Sequence, residues 1–207
     1  MEKKSNPLKE FFLTILFLIL LAWVLLVFVS FISVYSASEQ LNQPTQQEYL
    51  RVRIYGSSSS ADGNTISAAF SIVDTAGNEI AAIERSWSGN YLSVDFVETR
   101  FRDKFFIFPL RIYGKERIME TNKDRHGGIL LEKYYDDNDQ CLLLGHGSSL
   151  YERQELYKIA RFATKKFYVI PTFGHTTTYS IDLSECKTDV YYSIQIMSDG
   201  KIVVREI

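Results

Sequence analysis

From Phe11 to Tyr35 the chain runs 25 residues without a charge, and only Thr14, Ser30 and Ser33 are not apolar. A helix of that length rises about 37 Å, enough to cross a hydrocarbon core of about 30 Å with some tilt. A buried core helix of that length would ordinarily show a charged face, which this run lacks. The apolar core of a cleaved signal peptide is about 7–15 residues, shorter than this one, although Ser36-Ala37-Ser38 supplies small residues after it. The pattern therefore predicts an uncleaved transmembrane helix over 11–35, preceded by a short segment 1–10 and followed by a polar, Gln-rich spacer over 36–50 that carries Pro44.

Beyond the spacer the period changes to two. Leu50, Val52 and Ile54 alternate with Arg51, Arg53 and Tyr55. Ile66, Ala68, Phe70 and Ile72 alternate with small or polar residues, and Leu92, Val94 and Phe96 alternate with Ser93 and Asp95. Val190, Tyr192, Ile194 and Ile196 repeat the pattern near the end. Such runs put one face on a core and the other in water, as antiparallel strands do. Turn signals separate them at Asp62-Gly63-Asn64, Ala76-Gly77-Asn78, Ser88-Gly89-Asn90 and Asp199-Gly200, the last predicting a hairpin with both central residues at positive φ. Three continuous apolar runs, 105–108, 141–144 and 167–170, read as strands buried on both faces, with Pro109 marking an edge or a strand end. One amphipathic helix is predicted over about 150–166. Ser149 and Glu152 have capping-box spacing, and Leu156, Ile159, Ala160 and Ala163 form its apolar stripe. The expected architecture is one N-terminal transmembrane helix followed by a β-rich α+β domain over 51–207, mostly antiparallel, a sandwich or a partly closed barrel.

Charge refines this picture in one respect. The net charge is −2, which removes the case for a basic nucleic-acid binder. Its distribution matters more than its sum: Lys3, Lys4 and Lys9 precede the apolar run, and the next basic residue is Arg51. The positive-inside rule then predicts a cytoplasmic N-terminus and an extracytoplasmic domain. Without the three lysines and two glutamates ahead of the run, 20 basic residues face 23 acidic ones, so the domain should not be drawn to anionic lipid.

Candidate chemistry is sparse. Gly145-His146-Gly147-Ser148-Ser149 lies between an apolar run and the capped helix, an arrangement that can aim amides and hydroxyls at an anion. It lacks the Lys-Ser/Thr pair of a P-loop and the third glycine of a dinucleotide fingerprint. A Ser148 or Cys141 nucleophile with His146 or His175 lacks the Gly-x-Ser-x-Gly elbow. The spacings among His126, His146, His175, Cys141 and Cys186 match no zinc pattern, and Asp136-Asp137-Asn138-Asp139 lacks the glycine of a calcium loop and reads as a solvated hairpin turn. No metal or cofactor is expected. Cys141 and Cys186 form a disulfide if the domain lies in an oxidising compartment, or two buried free thiols otherwise. Trp87 and Tyr191 are aromatics positioned for a partner or, in the plainer case, for packing. The expectation is a non-catalytic, membrane-anchored module that contacts lipid through its helix and presents a binding or scaffolding surface to a protein. The alternative is an anchored enzyme or anion receptor built on residues 145–149.

Overall fold

The computed structural model describes residues 7–42, 47–61, 63–117, 127–164 and 175–207. Helix α1 (Pro7–Gln40) contains the apolar run and is long and apolar enough to cross a membrane. Nearly every side chain from Leu8 to Val29 is exposed, Val27 being the buried exception. It does not stop at Tyr35. The segment read as a spacer continues the helix through Gln40, and strand β1 (Gln47–Ser60) begins seven residues later, with 43–46 outside the described residues.

The domain is built from antiparallel ladders that do not close into a barrel. One sheet of five strands has the order β11-β10-β1-β2-β3, comprising β1, β2 (Gly63–Val73), β3 (Glu79–Ser88), β10 (Tyr191–Ile196) and β11 (Ile202–Glu206). The second has the order β6-β5-β4-β9, comprising β4 (Tyr91–Phe101), β5 (Lys104–Lys115), β6 (Ile129–Leu130) and β9 (Thr176–Asp182). The period-two residues meet as the pattern requires. Val52 pairs with Phe70 and Tyr192, Leu50 with Ile72 and Ile194, and all are buried. They share one core with Leu92, Val94, Phe96 and Ile112 of the second sheet, where Phe70 and Trp87 make an edge-to-face contact with centroids 5.5 Å apart. Trp87 is therefore a core residue and not an exposed anchor.

The two sheets come closest where β3 passes into β4. A Cβ at Gly114 would lie 2.1 Å from the Ser88 carbonyl oxygen and 2.9 Å from the Trp87 Cβ. Only a residue without a side chain fits that corner.

Between β6 and β9 the chain forms a short helical turn α2 (Glu132–Tyr135), a hairpin of β7 (Asp136–Asp137) and β8 (Gln140–Cys141), a 3₁₀ turn (Leu142–Leu144) and helix α3 (Leu150–Ala163). The hairpin turns at Asn138 (φ 48) and Asp139 (φ 62), which is the expected solvated turn. The capping box of Ser149 and Glu152 is formed, and Leu156, Ile159, Ala160 and Ala163 are all buried. Lys165, Lys166 and the apolar run 167–170 lie outside the described residues.

Four local expectations change. The run 141–144 is not a strand: β8 ends at Cys141 and the leucines form the 3₁₀ turn. Pro109 sits within β5, opposite Phe96, at a bulge that leaves Leu110 as the extra residue. There β6 does not flank β5, since it pairs only with Arg111 and Ile112, so the missing N–H interrupts no ladder among the described strands. At the last hairpin only Gly200 (φ 84) takes a positive φ, and the loop is one residue longer than a two-residue turn. Finally, Ser93 and Asp95 do not face water; they are 1% and 2% exposed, because β4 is covered on both faces.

Helix α3 runs antiparallel to the last third of α1. Tyr151 near its start donates a hydrogen bond to Gln40, while Phe162 near its end packs on Phe31 with centroids 6.2 Å apart. Phe101 and His175 complete an aromatic cluster around Phe31. The hairpin of β4 and β5 grips the end of α1 from another side. The Lys104 ammonium donates to the carbonyls of Ser38, Glu39 and Leu41 at 3.0, 2.9 and 2.9 Å, the orphan acceptors of a helix C-terminus. Arg102 pairs with Glu39 at 3.2 Å and lies over the Tyr35 ring at 5.0 Å.

Candidate functional site

The glycine turn is occupied by its own structure. Gly145 takes φ 76 and packs on Asp74, whose carboxylate oxygen would lie 2.4 Å from a Cβ there. Ser148 donates to the Gly145 carbonyl at 2.6 Å, and Ser149 caps α3 while its amide donates to Glu152. Arg153 donates to the Ser148 carbonyl at 2.8 Å and to the Gln140 side chain at 3.1 Å. From the turn between β2 and β3, Thr75 donates its amide to Leu143 and its hydroxyl to Leu144. His146 and Gly147 are exposed. The five residues thus join two turns together, and their hydroxyls are spent on backbone and cap.

Asp74 anchors that junction. Burial pushes its carboxyl pKa up, but the hydrogen bonds it accepts from the Asn78 side chain, the Asn78 amide and the Ala76 amide outweigh this, with help from His146. The net effect holds Asp74 below the ordinary carboxylate range. A carboxyl depressed on folding contributes stability that is present above its unfolded pKa of about 3.9 and is lost as pH falls through the lower folded value. Acid titration of the wild-type protein should therefore show a loss of stability from about pH 4 downward. Asp74→Asn should lose less over that range, starting from a lower plateau. Parallel acid curves for the two proteins would refute this.

Cys141 and Cys186 are not joined; both are free thiols. Cys141 lies in the core between Tyr49 and Tyr135, and Cys186 is half-buried in the loop after β9. Burial pushes their pKa values to about 12 and about 11, so both stay protonated and poorly nucleophilic near neutrality. His175 stacks on Phe101, and its Nδ1 lies 2.8 Å from the Arg100 carbonyl, far from the glycine turn in sequence and function. Among the described residues no three His, Cys, Asp or Glu side chains form a metal-binding group; His126 lies outside them.

Two polar arrangements went unread in the sequence. On the outer side of the second sheet, Ser180 donates to Asp95 at 2.6 Å and lies 2.6 Å from the Tyr113 hydroxyl, while the buried Lys115 pairs with Asp182 at 2.9 Å. Register explains the grouping: Asp95 faces Ser180 and Arg111 on its two neighbours, and Ser93 faces Asp182 and Tyr113. Asp95, Tyr113 and Lys115 are buried and their partners Ser180 and Asp182 are exposed, so the layer is a set of paired polar groups running from the sheet interior to its β9 edge. The other arrangement lies on the open face of the five-stranded sheet. Arg53 is sandwiched between the rings of Tyr55 (5.5 Å) and Tyr191 (5.1 Å) and pairs with Asp189 at 3.2 Å. Tyr191 is 51% exposed and Tyr55 38%. On that face Arg53 stands opposite the small Ala69, and Glu84 on the next strand hydrogen-bonds with Tyr55.

Two open clefts and one small cavity accompany these features. A cavity of about 40 Å³ between the end of α1, β5 and α3 is mostly apolar and is lined by Gln47, whose side chain hydrogen-bonds with Tyr49. A cleft of about 390 Å³ between β9 and the β10–β11 hairpin contains the buried Glu98, paired with Arg100, beside Tyr179, Asp199 and Lys201. A third, of about 250 Å³, lies where the β4–β5 hairpin meets α1. No family model, curated protein or solved structure matches the chain.

Proposed function

We propose that the chain is a single-pass membrane protein with its N-terminus in the cytoplasm and its β domain outside, acting as a non-catalytic binding or scaffolding module for another protein. The observation that carries the reading is the Tyr55–Arg53–Tyr191 ladder on the open sheet face. Tyrosine and arginine dominate the energetics of protein interfaces, and pre-stacking reduces the side-chain entropy lost on association. The residues with catalytic potential point the other way: the hydroxyls of the glycine turn are engaged in backbone and cap, and the thiols are buried or half-buried and protonated. The lysines ahead of α1 support the orientation.

Crosslinking of the full chain in its native membrane tests the partner. One defined crosslinked species is expected, weakened about 30-fold by Tyr191→Ala, the effect of a hot spot worth about 2 kcal/mol. Arg53→Glu should weaken it at least as much. A chain that stays monomeric under every crosslinking condition refutes the reading. For orientation, Ser58→Cys places a thiol on an exposed strand end, and a membrane-impermeant maleimide should label it on intact cells. Labelling only after lysis would reverse the topology.

A further inference from the structure

We infer that the cleft between α1 and the β4–β5 hairpin binds the headgroup of an aminophospholipid, a zwitterion pairing a phosphate with a primary ammonium. The inference rests on the reading that α1 spans the membrane. If Phe11 marks one hydrocarbon boundary, about 30 Å of helix brings the other to Phe31, since each residue adds 1.5 Å. Phe31 is where the domain begins to enclose the helix, through Phe101, Phe162 and His175. Tyr35 and Glu39 stand one and two turns above it, within the headgroup layer.

The cleft there is lined by Tyr35, Ser38, Glu39, Phe101, Arg102, Asp103 and Lys104. Its charges are not equivalent. The Lys104 ammonium is turned to the helix carbonyls, which leaves Arg102, 72% exposed at its side chain, as the cation facing lipid. Two carboxylates, Glu39 and Asp103, flank it. The Tyr35 hydroxyl lies against the Glu39 carboxylate and hydrogen-bonds with it. The exposed guanidinium suits a phosphate, and the two carboxylates suit an ammonium.

The same arrangement discriminates among lipids. An anionic headgroup lacking an amine would compete with Glu39 for Arg102 and meet Asp103 without compensation. A choline headgroup has no N–H to donate and depends on open aromatic faces. Here those faces are taken, Tyr35 by Arg102 and Phe101 by His175. A primary ammonium donates directly to Glu39 and Asp103.

The test uses the full chain in detergent, with phosphatidylethanolamine, phosphatidylcholine or phosphatidylglycerol added at equal mole fraction and retained lipid read by native mass spectrometry. Phosphatidylethanolamine is expected to be retained at least about fivefold over the others. Arg102 has φ 54, and asparagine tolerates that backbone, so Arg102→Asn removes the cation while keeping the turn. This variant and Asp103→Asn should each abolish the preference, the second at unchanged melting temperature. Equal retention of the three lipids, a preference for phosphatidylglycerol, or a preference that survives both variants would overturn the inference. Glycerophosphoethanolamine decides the source: displacement of the lipid at equal concentration assigns the same chemistry to a free headgroup, and no displacement assigns it to the bilayer. Alkaline carbonate extraction separates the two levels, because release of the chain from membranes refutes the spanning helix itself.

Discussion

Replacing Gly114 with alanine should destabilise the domain by about 3 kcal/mol, an overpacking cost at the upper end of the usual range. The new Cβ would stand 2.1 Å from the Ser88 carbonyl oxygen, which belongs to a backbone held by β2 on its other side. Neither neighbour has a rotamer to turn away. The strain must instead move β3 relative to β5, and that displaces Trp87 from the centre of the core. Chemical denaturation of the full chain in detergent, followed by Trp87 fluorescence in a Trp23→Phe background, measures the effect. Gly147→Ala is the control, because nothing lies within 4 Å of a Cβ there. It should change stability by less than about 0.5 kcal/mol. Similar costs at both glycines would show that the corner is not as tight as its geometry requires.

Lys104→Met should loosen the junction of helix and domain by about 2–3 kcal/mol while leaving the sheets folded. The ammonium serves three carbonyls at once and also opposes the negative end of the helix dipole. Methionine keeps the length and apolar stem of lysine but none of the donors. Since the strands on either side retain their ladders, the loss is confined to the contact. Spin labels at Ser36 and Thr178, both exposed, should give a narrow distance distribution in the parent chain and a broad one in the variant. Lys104→Arg should recover part of the order. A distribution unchanged in Lys104→Met would mean that the aromatic cluster and α3 hold the helix without the cap.

Much of this fold was legible because its causes are local. The apolar run, the capping box at Ser149, the Asn138-Asp139 turn and the alternation at Leu50, Val52 and Ile54 are each decided within a few residues. The misread features are decided at a distance. Ser93 and Asp95 alternate with apolar residues as a solvated face does, and only Tyr113 and Ser180, brought alongside by register, reveal their polar partners. Residues 36–40 are polar in sequence, yet Ala37 and Ser38 are buried, because the surfaces that cover them come from the β4–β5 hairpin and α3. The glycine turn has a sequence compatible with a site, and its neighbours are not legible there. What spends its groups, Asp74, Thr75 and Arg153, lies on either side of it in the chain and far from it in part. The Tyr55–Arg53–Tyr191 ladder needed the pairing of Arg53 with Tyr191, strands that are separated by most of the domain.

The clamped end of α1 has a mechanical meaning. A transmembrane helix that is longer than its bilayer tilts, commonly by about 20°, and a thinner membrane tilts it further. Most anchored domains are insulated from that motion by a slack tether. Here the last turns of the helix are held by an ammonium, an ion pair, an aromatic cluster and a second helix, so if α1 spans a membrane as proposed, the domain would inherit its tilt. On the proposed membrane-spanning reading, the thickness of the membrane would then set the direction in which the open sheet face looks, so a proposed partner at a fixed height would meet that face in one lipid environment and miss it in another.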